Sequence, residues 1–466
     1  MNDKNNQVSS TNEDEVIVQT GADTKDGQTK CPKCGATDIS LNESKGMLRC
    51  NFCRHEFEPE KAVEETNLKD LKGKVVGSGA QDIKASKDDL LTIECSSCGA
   101  EVVINTNEAT NARCHWCRNV LSVNRQIPNG SVPDMVLPFK LKKDEAKSAI
   151  DKFVGSRMLF AHPKFKKEFT TQNIMGAYFP YMIVNANAHV HLSGHGEIKV
   201  KEYAEGEGSS KKTYYDADCY KVEREFDLTV NGLTVESSSD KRQYQADKTN
   251  NIINAIMPFD IENCVKWDAN YLRGYSTEKR DTNISDLKDL FDVQAKDIAR
   301  YKANETIKKY DRGVKWENEK LDLKGQAWNS AYLPVWLYSY QQEMGKKGRL
   351  HYIAVNARTK EIIGSVPLHL PKLWLVVLLI EALAVAIMLY FNWAFDWIFI
   401  PTGFIFLLVI YNKYRNTGAV HTYERETTSE MSNVKEVDNF IEKRTRLTSM
   451  SITGANNRTI DRRPKK

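Results

Sequence analysis

Apolar and polar positions alternate with different periods along this chain, and each change of period marks a different element. SDLKDLFDVQAKDIARYKANETIKKY (285–310) repeats its apolar residues every three or four positions, which predicts an amphipathic helix. LHYIAV (350–355) reads as a strand, and HYIAVNARTKEIIGSV (351–366) as strand, turn, strand. Two long apolar runs follow. LWLVVLLIEALAVAIMLYF (373–391) has one charge in nineteen residues, and WAFDWIFIPTGFIFLLVIY (393–411) has one near its start. The first 28 residues contain almost no large apolar side chains and are expected to be disordered.

Within the long middle segment, short patterns recur. VLPFKL (136–141) is echoed by IMPFDI (256–261), and AYFPYMIV (177–184) by AYLPVWLY (331–338). In each half a Pro-Phe step comes first, a helical stretch follows, and a strand led by a Tyr-apolar-Pro step closes the unit. Proline suits a strand start or an edge, because it cannot donate to a β ladder. The segment is expected to be a duplicated α+β domain, with repeats at 135–255 and 256–370.

Composition adds little to this. The chain has 466 residues, 27% charged, with a formal net charge of +4. That excess is too small to demand a nucleic-acid partner. Ten cysteines are more telling. The polar N-terminus has no apolar core of a secretory signal, so the thiols are expected to stay reduced, and reduced clusters usually hold metal. Eight form two matched sets: Cys31-x-x-Cys34 with Cys50-x-x-Cys53, and Cys95-x-x-Cys98 with Cys114-x-x-Cys117. Each set has fifteen residues between its pairs. Four thiolates on two tight turns can surround Zn²⁺ tetrahedrally at about 2.3 Å. Iron in a rubredoxin-like site and a redox pair are the alternatives. A closed four-thiolate site has no open position, so it should fold the chain rather than catalyse. The expected organisation is a disordered 1–28, zinc ribbons at 29–58 and 93–123, and a charged linker at 59–92.

The spacing and the CPKCG opening at Cys31 resemble zinc ribbons of the transcription-factor-B type. With the duplicated domain and the apolar C-terminal block, the chain resembles a family of bacterial membrane-anchored zinc-ribbon proteins. That resemblance implies the zinc ligands and the architecture, and brings no activity. A helicase label is rejected, because no G-x-x-x-x-G-K-[ST] phosphate loop is present.

Arg49, Arg54, Arg113 and Arg118 flank the ligand pairs. They either compensate the −2 charge of each site or contact phosphate, with Phe52 and Trp116 as stacking faces. The two aromatics are expected to serve as ribbon core, since a unit of about 30 residues has few apolar groups to bury. His55 and His115 read as surface residues, and Cys219 and Cys264 as ordinary buried thiols. HVHLSGHG (189–196) reads as a solvated strand face, although His189 and His191 share a side as two ligands would.

The apolar runs predict membrane helices at 373–391 and 395–412. Nineteen helical residues reach about 28 Å, close to the hydrocarbon thickness. The link between them is short enough only for a tight hairpin. Lys372 before the block, Lys413 and Arg415 after it, and no Lys or Arg in the link place both termini in the cytoplasm. In the alternative, only the first run spans, and the second is re-entrant or interfacial. Glu381 lies about 12 Å into the first helix, where a charge costs ~2.5–3.5 kcal/mol. A protonated Glu381 could bond Thr402, or the Trp397 carbonyl freed by Pro401, within the hairpin or across a homo-oligomer. The remainder, 413–466, reads as a cytoplasmic basic tail suited to anionic lipid.

The chain is therefore expected to be multidomain: two small β zinc ribbons, a duplicated α+β domain and a C-terminal two-helix transmembrane hairpin. No Ser/His/Asp set, G-x-S-x-G or recognisable acid pair suggests an enzyme. The expected role is a scaffold recruiting a cytoplasmic protein to the membrane, with nucleic acid as the rival partner.

Overall fold

The computed structural model describes residues 16–19, 31–36, 38–42, 47–62, 67–83, 90–94, 101–105, 111–113, 120–122, 133–206, 212–237, 256–267, 271, 275–277, 280, 282–342, 349–390, 402–414 and 423–448. In chain order, β1 is Val16–Gln19. Strands β2 (Ile39–Asn42), β3 (Met47–Cys50) and β4 (Glu56–Phe57) form a small sheet of their own. After β5 (Gly73–Gly77) come two hairpins, β6 (Leu90–Glu94) with β7 (Glu101–Asn105), and β8 (Asn111–Arg113) with β9 (Val120–Ser122). Next are β10 (Met135–Val136), α1 (Lys143–Gly155), α2 (Pro163–Glu168), β11 (Met175–Glu205), β12 (Lys212–Glu236), β13 (Val265–Lys266) and β14 (Ser276–Thr277). Then follow α3 (Ile284–Glu305), β15 (Val314–Gln342), β16 (Arg349–Asn356) and β17 (Ile362–Gly364). The chain closes with α4 (Leu370–Tyr390), α5 (Thr402–Tyr414), α6 (Tyr423–Glu426) and β18 (Thr428–Thr448).

Among the described residues, eleven strands build one large sheet whose main path runs β1-β5-β15-β11-β12-β18. Its long strands alternate. Val222, Phe226, Leu228 and Val230 of β12 are buried, while Glu223, Glu225 and Asp227 lie on the opposite side. The apolar stripe of α3, including Leu287, Phe291, Ala295, Ile298 and Ala299, packs in the same core as that buried face. At its N-terminus Asp286 accepts from the Asn283 N–H at 3.0 Å.

The two Tyr-apolar-Pro motifs are neighbours in the large sheet. AYFP of β11 and AYLP of β15 lie antiparallel, with Phe179 opposite Leu333 and each proline opposite the other motif's tyrosine. β10 pairs in parallel with Ala331 and Tyr332, and β14 in parallel with Ala177 and Tyr178. The two short strands thus exchange partners, each eight residues ahead of its helix (α1 or α3). The counterpart of Met135 is therefore Ser276, not Ile256 of the second Pro-Phe motif. Both Pro-Phe motifs instead converge on the turn after β16. Arg358 grips Asp260 and donates to the Pro138 carbonyl, and Asn356 donates to the carbonyls of Ile256 and Pro258.

Three segments differ from the sequence expectation. Val16–Gln19, inside the stretch expected to be disordered, pairs in parallel with β5. β5 lies inside the expected linker and also pairs with β15. A Cβ on Gly325 would lie 2.3 Å from the Leu71 oxygen, so only glycine lets that linker backbone approach. The expected tail contributes β18, twenty-one residues paired along β12. In each case a short apolar triplet or an alternating stretch gains ladder hydrogen bonds that a polar average hides.

α4 is long and apolar enough to cross a membrane by length and composition. α5 returns beside it: Gly403 lies against Val377 and Glu381, and at the base the Val366 N–H donates to the Tyr414 carbonyl. The described helix of the second run begins at Thr402, thirteen residues in all, and 391–401 lie outside the described residues.

Candidate metal centre

The four cysteines of the first ribbon meet at one point. Cys31 Sγ and Cys53 Sγ are 3.6 Å apart, as are Cys34 Sγ and Cys50 Sγ. All four sulfurs lie within 4.8 Å of one another. A tetrahedron with metal–sulfur bonds of about 2.3 Å has sulfur–sulfur edges of about 3.8 Å, so the cluster has the dimensions of a single four-thiolate metal site.

Two turns of one design bring them there. In the first, Gly35 N–H donates to the Cys31 carbonyl, and Cys31 N–H to the Ala36 carbonyl. In the second, Arg54 N–H donates to the Cys50 carbonyl, and Cys50 N–H to the His55 carbonyl. The residue after the second cysteine must take positive φ: Gly35 has +72° and Arg54 has +61°. Glycine accepts this freely, whereas arginine pays about 1–2 kcal/mol.

The sulfur electrostatics call for a cation. Burial works to raise the Cys31 thiol, but the N–H groups of Cys34 and Lys33 outweigh it and lower it to about 7. The Ala36 N–H lowers the Cys34 thiol, yet desolvation and the other three sulfurs together raise it to about 12. Four thiolates this close repel one another, and a bound divalent ion removes that conflict.

The ribbon core is Ile39 and Leu48, buried in one cluster with residues of the α+β body, with Phe57 packed against it. Phe52, expected in that core, is 81% exposed at the tip of the second turn. The body already covers the inner face of the ribbon, so its tip points outward. Arg49 and Arg54 are exposed beside it, and His55 stacks on Phe57 at 6.1 Å.

Cys95, Cys98, Cys114, Cys117, His115, Trp116 and Arg118 lie outside the described residues, in the connections of the β6–β7 and β8–β9 hairpins. Arg113 ends β8, and only its backbone is described.

Glu381 and the second apolar helix meet. Its Oε2 accepts from the Gly403 N–H at 2.6 Å and from the Thr402 hydroxyl at 3.4 Å. The carboxylate thereby ties one apolar helix to the other. The histidine-rich strand, expected to be a solvated face, is half-buried and faces carboxylates. His189 Nδ1 is 2.9 Å from Asp227, and His195 pairs with Glu317. Cys219 and Cys264 are buried, and burial pushes the Cys264 thiol up.

Sequence reasoning missed the base of the helix pair. Buried Arg157 donates to the Lys413 carbonyl, and the Tyr414 hydroxyl accepts from the Phe160 N–H. The one available signal was an arginine among apolar residues in GSRMLF. Compared with protein-family models, curated proteins and solved structures, the chain matches none.

Proposed function

We propose that this chain is a membrane-anchored zinc-ribbon adaptor that recruits a cytoplasmic protein. Zinc fills both four-cysteine sets as a structural ion, and α4 and α5 form a two-span hairpin with both termini in the cytoplasm. The return of the chain supports the hairpin. β17 before the helices and β18 after them belong to the same sheet, so a chain that enters a bilayer between them must cross it an even number of times.

The observation that carries the recruiting role is the ribbon tip. Phe52 stands 81% exposed beside Arg54, which holds a positive φ where the matching turn uses glycine. A strained charged residue next to a bare aromatic is a feature of docking sites rather than of stability. Charge favours protein over nucleic acid. Residues 29–58 hold five Lys and Arg against four Asp and Glu, and a four-thiolate zinc site adds −2. The ribbon is then net −1, a poor surface for phosphate.

The test uses the full zinc-loaded chain in lipid nanodiscs. Affinity capture from cytosol should recover a defined protein that Phe52→Ala loses. Salt-sensitive binding of single- or double-stranded DNA or RNA, lost when Arg49, Arg54, Arg113 and Arg118 become Gln, would overturn the protein reading.

A further inference from the structure

We propose that the corner between the 3-10 turn Met158–Phe160, α2 and the first turn of α4 binds the phosphate headgroups of anionic phospholipid, with Leu159 at the acyl boundary. This rests on α4 being a membrane helix.

The geometry is specific. The Leu159 carbonyl accepts from Lys372 Nζ at 2.8 Å and from Lys166 Nζ at 3.4 Å. Two ammonium groups thus converge on one neutral oxygen, and among the described residues neither meets a carboxylate. Like charges held this close repel, and an anionic phosphate beside them would bridge both. α2 adds Lys167, exposed, against a single acid, Glu168.

Leu159 itself is 64% exposed, although its neighbour Phe160 is buried against Phe406 and Tyr414 of α5. Trp374, two residues beyond Lys372, is half exposed on α4, where an interfacial aromatic belongs. An apolar tip, a tryptophan and paired lysines at the root of an apolar helix together match a headgroup layer. The sequence places anionic lipid at the C-terminal basic clusters. Lys443 and Arg444 lie in β18, their backbones paired with Asp218 and Ala217 of β12.

The test reconstitutes the full chain in phosphatidylcholine vesicles with and without phosphatidylglycerol. A photoreactive benzophenone side chain replaces Leu159, Leu379 or Val293 in turn. Leu379 is exposed on α4 and Val293 on α3. The expected result is a lipid adduct at 159 and 379 and none at 293. Phosphatidylglycerol should be enriched in the adduct at 159 by about fivefold per lysine. Lys166→Gln with Lys372→Gln should return that enrichment to the bulk ratio and leave the adduct at 379 unchanged. Adducts at 379 but none at 159, or an adduct at 159 without enrichment, would overturn the proposal alone. No adduct at 379 would remove the membrane reading and this proposal with it.

Discussion

Gly403→Ala tests whether α4 and α5 are held as described. A Cβ at position 403 would lie 2.6 Å from Glu381 Oε2 and 2.8 Å from the Val377 carbonyl oxygen. The carboxylate can rotate away, but the Val377 oxygen belongs to the α4 backbone. Restoring ordinary contact at about 3.4 Å moves the helices apart by about 0.6 Å, and overpacking of this kind costs about 1–3 kcal/mol. The same shift stretches the 2.6 Å bond from Gly403 N–H to Glu381, and an interhelical polar contact in lipid contributes about 0.6–2 kcal/mol. Against this, alanine in a helix gains about 1 kcal/mol over glycine. The net expected loss is about 0.6–4 kcal/mol. Glu381→Gln keeps a carbonyl acceptor for the same donors and should lose less than Glu381→Ala. Reversible unfolding in mixed micelles, followed through tryptophan fluorescence, measures the series. A Gly403→Ala protein as stable as the parent, or more stable, would refute the close packing of the two helices.

Other positions give independent tests. Gly194→Ala places a Cβ 2.1 Å from the Lys315 carbonyl and 2.8 Å from Trp316 Cα, both backbone of the adjacent strand; calorimetry should show a loss of about 3 kcal/mol or more. Arg54→Gly removes the cost of a positive φ and should strengthen the ribbon by about 1 kcal/mol, read as slower metal loss to a chelator, whereas Arg49→Gly should not. Cys34→Ser should reduce metal content, measured by mass spectrometry, by one equivalent per chain. Lys324 first, then Asn433 and His189, hold the Asp227 carboxyl below its usual range. Its stabilisation is complete above the unfolded value of about 3.9 and is lost as pH falls below it. Asp227→Asn should therefore flatten the acid limb of the unfolding curve.

What could be read from the sequence was whatever is local. Cys-x-x-Cys spacing fixes a turn within five residues, so the Cys31 to Cys53 cluster could be read directly. The helix at 284–305 and the hairpin at 349–364 carried their own period and turn residues. Glu381 could be matched to Thr402 because two antiparallel helices of known rise align by counting. What escaped was long-range pairing. Nothing within Val16–Gln19 or Gly73–Gly77 says that the two strands join each other beside β15. The second Pro-Phe motif looked like a repeat, yet Ser276–Thr277 holds the equivalent place, because parallel pairing of two-residue strands demands little of their side chains. Phe52 was misplaced because a ribbon taken alone needs a core, and the α+β body supplies it.

The position of β18 bears on how the chain is made. A ribosome finishes β11, β12 and β15 before it reaches α4, and it synthesises the strand that covers β12 only after α5. Until then β12 presents an open edge able to pair with any stray strand. If the two apolar helices insert as they emerge, the last ladder can close only once the nascent chain has come back from the bilayer. Completion of the sheet then reports successful insertion, and chains stalled in between are left with the unsealed edge that quality-control proteases and chaperones engage.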